Sequence, residues 1–168
     1  SILSAAQEAE LERAVAVLEA ETPYRFRVLS PPTGRGPENK ADWAVTARAV
    51  KEYWAQDPKW DPENVVVLLA NPTIVRGRSS NPVNFSVANK LTERLQYRIA
   101  SDTFTKIANK FGDSGSLARL GDDGAVVQSA LNAIACLRRG VCMQALPEGE
   151  ARELALGLKD VVLTPDER

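Results

Sequence analysis

The chain has 168 residues, with 21 Lys plus Arg set against 22 Asp plus Glu. That length suits one domain burying roughly two-thirds of the surface its unfolded form would expose, and the charge balance gives no overall pull toward nucleic acid or a membrane surface. There is no histidine, which excludes Ser-His and Cys-His nucleophile systems, imidazole bases and histidine metal ligands, and leaves carboxylates as the only candidates for catalysis.

No apolar run approaches the roughly 18 residues a membrane span needs, and no charged leader precedes an apolar segment, so the sequence reads as soluble. Its start at Ser1 rather than Met reads as a processed or trimmed product. Ser4 and Gln7 have capping-box spacing, and Leu11, Ala14, Val15 and Leu18 mark one face of a helix ending near Ala20 at Thr22-Pro23. Tyr24, Phe26 and Val28 then alternate with Arg25 and Arg27, as in a strand with one buried face.

Residues 30–40 form a loop by their Pro and Gly content. Trp43, Ala47, Val50 and Trp54 fall within a narrow arc at about 100° per residue, the pattern of a core-facing helix. Asp57-Pro58 and Asp61-Pro62 break the chain before Val65 to Ala70, which is apolar at every position. Such a run is a central strand covered on both faces. Strand, helix and buried strand make a right-handed βαβ unit with parallel strands.

Residues 71–82 read as a second loop and Val83 to Val87 as a third strand. Leu91, Leu95 and Ile99 share one helical face while Phe104, Ile107, Ala108 and Phe111 share another. One straight helix cannot bury both, so a break is expected at Ala100 to Asp102, with Ser101 or Asp102 as cap and Gly112 as terminus. Gly112 to Gly124 reads as a Gly/Asp/Ser loop holding Leu117 and Leu120. After Asp122 or Asp123 as cap, Val126, Val127, Ala130, Leu131, Ala133, Ile134 and Leu137 leave little polar surface. This is expected to be the most buried helix, with Arg138 and Arg139 at its C-terminal dipole and Gly140 ending it. Residues 1–145 form the domain, and 146–168 a tail with a weak helical pattern (Ala151, Leu154, Ala155, Leu158), ordered by a partner.

Cys136 and Cys142 are the only cysteines. In an unbroken helix their Cα atoms would lie about 9 Å apart on different faces, too far for a disulfide. A helix ending at Gly140 lets the chain fold back, and the resulting cross-link would add roughly 2 kcal/mol. A metal site and two unpaired core thiols are the other readings, the first leaving half a zinc shell unfilled. A disulfide would imply an oxidising compartment.

Loops that follow parallel strands leave the same edge of the sheet, where α/β folds usually bind ligands. Gly34-Arg35-Gly36 lies in the first and Arg76-Gly77-Arg78 in the second, so Arg35, Arg76 and Arg78 are candidate ligands for a partner carboxylate or a small anion. Ordinary solvated loops are the alternative. Asp57, Asp61, Glu63, Asp113, Asp122 and Asp123 are possible Ca²⁺ or Mg²⁺ ligands, but no EF-hand spacing is present, and caps and turns account for most of them. Trp43 and Trp54 belong to the core, and Trp60 covers a helix end or faces a partner.

The order of motifs resembles the TPM domain family, and within it the thylakoid-lumen branch associated with photosystem II repair and assembly. The likeness runs over residues 2–142. It rests on the opening helix with Leu18-Glu19-Ala20-Glu21-Thr22, Tyr53-Trp54, Val65 to Ala70 followed by Asn71-Pro72, Asn84-Phe85-Ser86-Val87, Phe104 with Asn109-Lys110-Phe111-Gly112, and Ala130 to Arg138. The resemblance implies a three-layer α/β/α sandwich with a small, mostly parallel sheet, a location in the chloroplast thylakoid lumen peripheral to the membrane, and photosystem II subunits as partners. It also implies, as an alternative, a divalent-metal-dependent acid phosphatase. Where many TPM domains have Asp-Asn-Gly before the central strand this chain has Glu63-Asn64-Val65, and where they have Gly-aromatic-Gly it has Ala88-Asn89-Lys90. The close backbone approach that glycine permits is lost, which leaves Glu63 and Asn64 as the metal candidates and a non-catalytic binding role as the leading expectation.

Overall fold

A computed structural model of the chain describes residues 2–29, 56, 61–70, 81–95 and 97–168. Helix α1 (Ala5–Glu21) begins as its sequence dictates. Ser4 Oγ accepts from the Gln7 amide at 3.1 Å while Gln7 Oε1 accepts from the Ser4 amide at 2.8 Å. The pair satisfies donors that the first helical turn leaves free. At the other end Thr22 Oγ1 donates to Leu18 O at 2.8 Å and the chain turns into β1 (Arg25–Leu29).

Strand β2 (Val65–Ala70) lies between β1 and β3 (Val83–Val87), and all six of its residues are buried. Val66, Leu68 and Ala70 join the main core with Phe26, Leu11, Leu18 and Ile134, while Val65, Val67 and Leu69 cluster on the opposite face with Leu29. The apolar run is therefore explained by burial of both faces. β1 runs parallel to β2, with Phe26 opposite Val66 and Val28 opposite Leu68. β3 runs antiparallel, with Phe85 opposite Leu68 and Val83 opposite Ala70. The expectation of a mostly parallel sheet is corrected to a mixed one among the described strands. A return from β2 to β3 within residues 71–82 reverses direction, whereas a parallel return needs a longer crossover, usually helical. The segment expected to hold the Trp43–Trp54 helix, most of both expected loops, and Trp60 lie outside the described residues.

Helices α2 (Asn89–Leu95) and α3 (Thr103–Gly112) are separate, broken where the two apolar faces diverge. Asp102 precedes α3 but its side chain makes no capping bond. Gly112 closes α3 without adopting a positive φ. A Cβ there would stand 1.9 Å from Asn81 Oδ1. Asn81 in turn accepts from the Val83 amide at 2.8 Å and donates to Ala108 O at 2.9 Å, tying the start of β3 to α3. Gly112→Ala is expected to displace Asn81 and cost about 1–3 kcal/mol, read as a lowered urea midpoint at unchanged slope; an unchanged midpoint would show that Asn81 can move aside freely.

Residues 112–124, expected to be a loop, are largely helical. α4 (Ser114–Arg139) starts directly after Asp113, whose carboxylate accepts from the Ser116 amide at 2.7 Å, and its one non-helical residue is Gly121 at φ 74°, ψ 172°. Gly121 separates α4 into two helical segments that meet at a kink, in a conformation that glycine alone tolerates cheaply. Beyond it, Ala125–Val127 and Ser129–Leu137 are buried, and Gly140 ends α4 in the left-handed region at φ 73°. Residues 146–168 carry α5 (Glu148–Ala155), which buries Ala151, Leu154 and Ala155 in the main core, then a strap to a 3-10 turn at Pro165–Glu167.

Candidate functional site

The sequence candidates Glu63 and Asn64 lie in a 3-10 turn (Pro62–Asn64) that delivers the chain into the amino end of β2. Asp61 caps this turn, accepting from the Glu63 amide at 2.9 Å, and its second oxygen accepts from Asn64 Nδ2 at 2.7 Å. α2 closes over the same edge. Lys90 Nζ pairs with Glu63 Oε1 at 2.6 Å, and Arg94 donates to Asn64 Oδ1 and, at 3.3 Å, to Glu63 O. The Glu63 carboxylate, through its hydrogen bond and then its charge, holds the Lys90 ammonium above its ordinary value. Glu63 Oε1, Asn64 Oδ1 and both Asp61 carboxylate oxygens already face a cation or an N–H donor, and Lys90 and Arg94 balance the two carboxylates, so the turn is a self-neutralised junction. Among the described residues no three Cys, Asp or Glu side chains converge as a metal-binding group.

The other acidic candidates have structural partners. Asp113 caps α4, and the Ser116 amide that it accepts holds its carboxyl below the usual range. Asp123 accepts from Gln7 Nε2 at 2.8 Å, joining α4 to α1. Asp57 lies outside the described residues, as do Arg35, Arg76 and Arg78. The chain leaves β1 after Leu29 and β2 after Ala70 at one edge, with Leu29 opposite Leu69. The Glu63 turn enters β2 at the other edge. The end of β2 that leads into residues 71–80 and the end entered by the Glu63 turn are thus separated by the length of β2, about 20 Å.

Cys136 and Cys142 form a disulfide with Cα atoms 5.3 Å apart, made possible by the reversal at Gly140. The residues around it grip the C-terminal segment. Arg138, with only 6% of its side chain exposed, donates to Glu21 at 2.7 and 3.0 Å, to Leu154 O at 2.9 Å and to Lys159 O at 2.7 Å. Arg139 donates to Val141 O and to the Glu167 carboxylate, both at 2.6 Å, and Arg98 donates to Glu167 O at 2.8 Å. Fully buried Asn132 pins the intervening chain, donating to Leu146 O at 2.7 Å and accepting from its amide at 3.1 Å.

No family model matches this sequence. The chain is 25% identical over 140 residues, 83% of its length, to thylakoid lumenal 15.0 kDa protein 2, a chloroplast protein of Arabidopsis thaliana. Those residues are 52% of the relative, so the chain spans about half the length of the curated relative it matches. No described helix is long and apolar enough to cross a membrane.

Sequence reasoning placed Arg138 and Arg139 at a helix dipole and missed their clasp. Half of their hydrogen bonds go to backbone carbonyls, which leave no trace in residue type, and half to Glu21 and Glu167, which are distant in sequence. It missed Lys90 and Arg94 as partners of Glu63 and Asn64, although spacing by four on a helix starting beside β2 was a usable signal.

The pH response follows from these contacts. The bonds from Arg138 hold the Glu21 carboxyl below 4.5, and the Thr164 amide followed by Arg139 does the same for Glu167. A carboxylate with a depressed folded pKa stabilises fully above its unfolded value and loses that contribution as pH falls through the folded one. With no histidine in the chain, thermal midpoints are expected to be level from about pH 8 to about pH 5 and to fall only in more acid solution. Calorimetry across that range checks this, and a transition near pH 6 would contradict it.

Proposed function

We propose that the chain is a non-catalytic auxiliary protein of the chloroplast thylakoid lumen that associates with lumenal subunits of photosystem II during repair or assembly, without crossing the membrane. The observation that carries the reading is the similarity to a thylakoid lumenal protein over most of the chain. An intramolecular disulfide, suited to an oxidising compartment, supports the location. The TPM resemblance supplies the photosystem II partner and the three-layer sandwich, and burial of both faces of β2 agrees with helices on each side. The self-neutralised Glu63–Asn64 turn favours binding over the metal-dependent phosphatase.

Arg35, Arg76 and Arg78, in the segments that follow Leu29 and Ala70 in sequence, are the proposed contacts with acidic lumenal surface. Gently solubilised thylakoid complexes, separated by size and examined by mass spectrometry, are expected to carry this chain with photosystem II or a partly assembled form of it. The triple Arg→Glu variant is expected to lose that association and its salt sensitivity. Migration only as free protein would overturn the partner, and metal-dependent phosphate release abolished by Glu63→Gln would replace the reading with the enzyme.

A further inference from the structure

We propose that the Cys136–Cys142 cystine is a site of reversible thiol–disulfide exchange coupled to docking of the C-terminal strap, residues 157–168. The cross-link closes a loop containing Arg138, Arg139 and Gly140, and both arginines are the groups that hold the strap. A closed set of contacts joins the two. The Cys142 amide donates to Arg98 O at 2.7 Å, the Arg98 guanidinium donates to Glu167 O, the Glu167 carboxylate accepts from Arg139, and Arg139 donates to Val141 O beside Cys142. Arg138 grips the start of the strap at Lys159 O.

Between these two holds, no residue from Asp160 to Leu163 makes a backbone–backbone hydrogen bond with another described residue, and Val162 is 75% exposed. Val161 packs against the main core, whereas the Glu167 end of the strap is held by Arg139 and Arg98, whose other contacts run to Val141 and Cys142 in the turn that the disulfide closes. The rest of the neighbourhood does not depend on the cross-link. Thr103 Oγ1 donates to Cys142 O at 3.0 Å, Asn132 holds Leu146 twice and Arg138 keeps its bonds to Glu21 and Leu154 O, so opening the cross-link loosens the Glu167 anchor while the body of the domain stays folded.

The co-reactant is a dithiol. Its thiolate attacks Cys142 Sγ, and Cys136 leaves as a thiolate; the second thiol of the reductant then attacks the mixed disulfide and releases Cys142. Two electrons and two protons end on the two cysteines, and the reductant leaves as its own disulfide. Both cysteines are buried, at 0% and 3% exposure, so attack requires the contacts around Cys142 to open. Coupling is reciprocal: a docked strap slows reduction, and a reduced pair loosens the strap.

Two measurements on the full chain test this. Hydrogen exchange of the oxidised protein, of the protein reduced with dithiothreitol, and of Cys136→Ser/Cys142→Ser is expected to show faster exchange confined to residues 157–168 in both reduced forms. Thiol release from Glu167→Ala, checked for native circular dichroism, is expected to be about tenfold faster than from the natural sequence, the size of one lost charge-assisted hydrogen bond. Equal exchange of the strap in oxidised and reduced protein, loss of protection throughout the chain, or equal thiol release from the two sequences would each overturn the coupling.

Discussion

Leu68→Ala is expected to lower the unfolding free energy by about 2–5 kcal/mol. Leu68 is fully buried at the middle of the central strand, opposite Val28 on one side and Phe85 on the other. Truncation removes the transfer free energy of the lost methyl groups and leaves a void that three neighbouring strands cannot all close around, because their hydrogen-bonded ladders fix their separation. The matched control is Leu158→Ala on the strap, where the side chain is 61% exposed and the expected change is within about 0.5 kcal/mol. Denaturant titration of both variants checks the contrast. Equal losses would mean that β2 is not the centre of the core.

The second large effect is expected at Asn132. Asn132→Ala should cost about 2–4 kcal/mol, since it leaves the Leu146 amide without its acceptor, leaves the Leu146 carbonyl with Lys110 Nζ as its donor at 3.1 Å, and opens a space between α4 and the segment leading to α5. The loss should be read with the disulfide intact, by thermal unfolding. If it falls below about 0.5 kcal/mol, water replaces the amide and the cross-link alone holds the turn. Asn132→Asp keeps the acceptor for the Leu146 amide and removes the donor to its carbonyl, so it separates the two bonds.

Much of the fold was legible because it is written in local periodicity. The Ser4–Gln7 box, the uninterrupted Val65–Ala70 run and the divergence of the Leu91 and Phe104 faces each depend on residues close in sequence. The start of α4 was misread because Gly, Asp and Ser are ambiguous. In Ser114–Leu120 Gly and Ser share a helix with Leu117 and Leu120, whose spacing by three was the informative signal, and Asp113 with Ser116 was a cap. Gly112 ends its helix as expected, and it is also a position where Asn81 comes too close for a side chain. Sequence offers no view of that contact.

The candidate site was less legible than the fold. Glu63 and Asn64 were singled out as metal candidates from their place before a buried strand, but their cationic partners come from α2, so that pairing is a tertiary fact. The disulfide was readable because Gly140 signals the reversal that brings the cysteines together. The arginine clasp was not, because its carbonyl acceptors carry no sequence label and its carboxylate acceptors are distant in sequence.

The first helix also meets the last. Glu10 pairs with Arg152 across 142 positions of chain, and Glu21 with Arg138 across 117, while Leu11, Ala14 and Leu18 lie in the same core as Leu154 and Ala155. A polypeptide made, or threaded through a pore, from its amino end would therefore hold α1 without its final neighbours until α5 had followed. Cooperative closure is then a late event, and a molecule stopped short of Arg152 would present the apolar side of α1 to whatever chaperone is at hand.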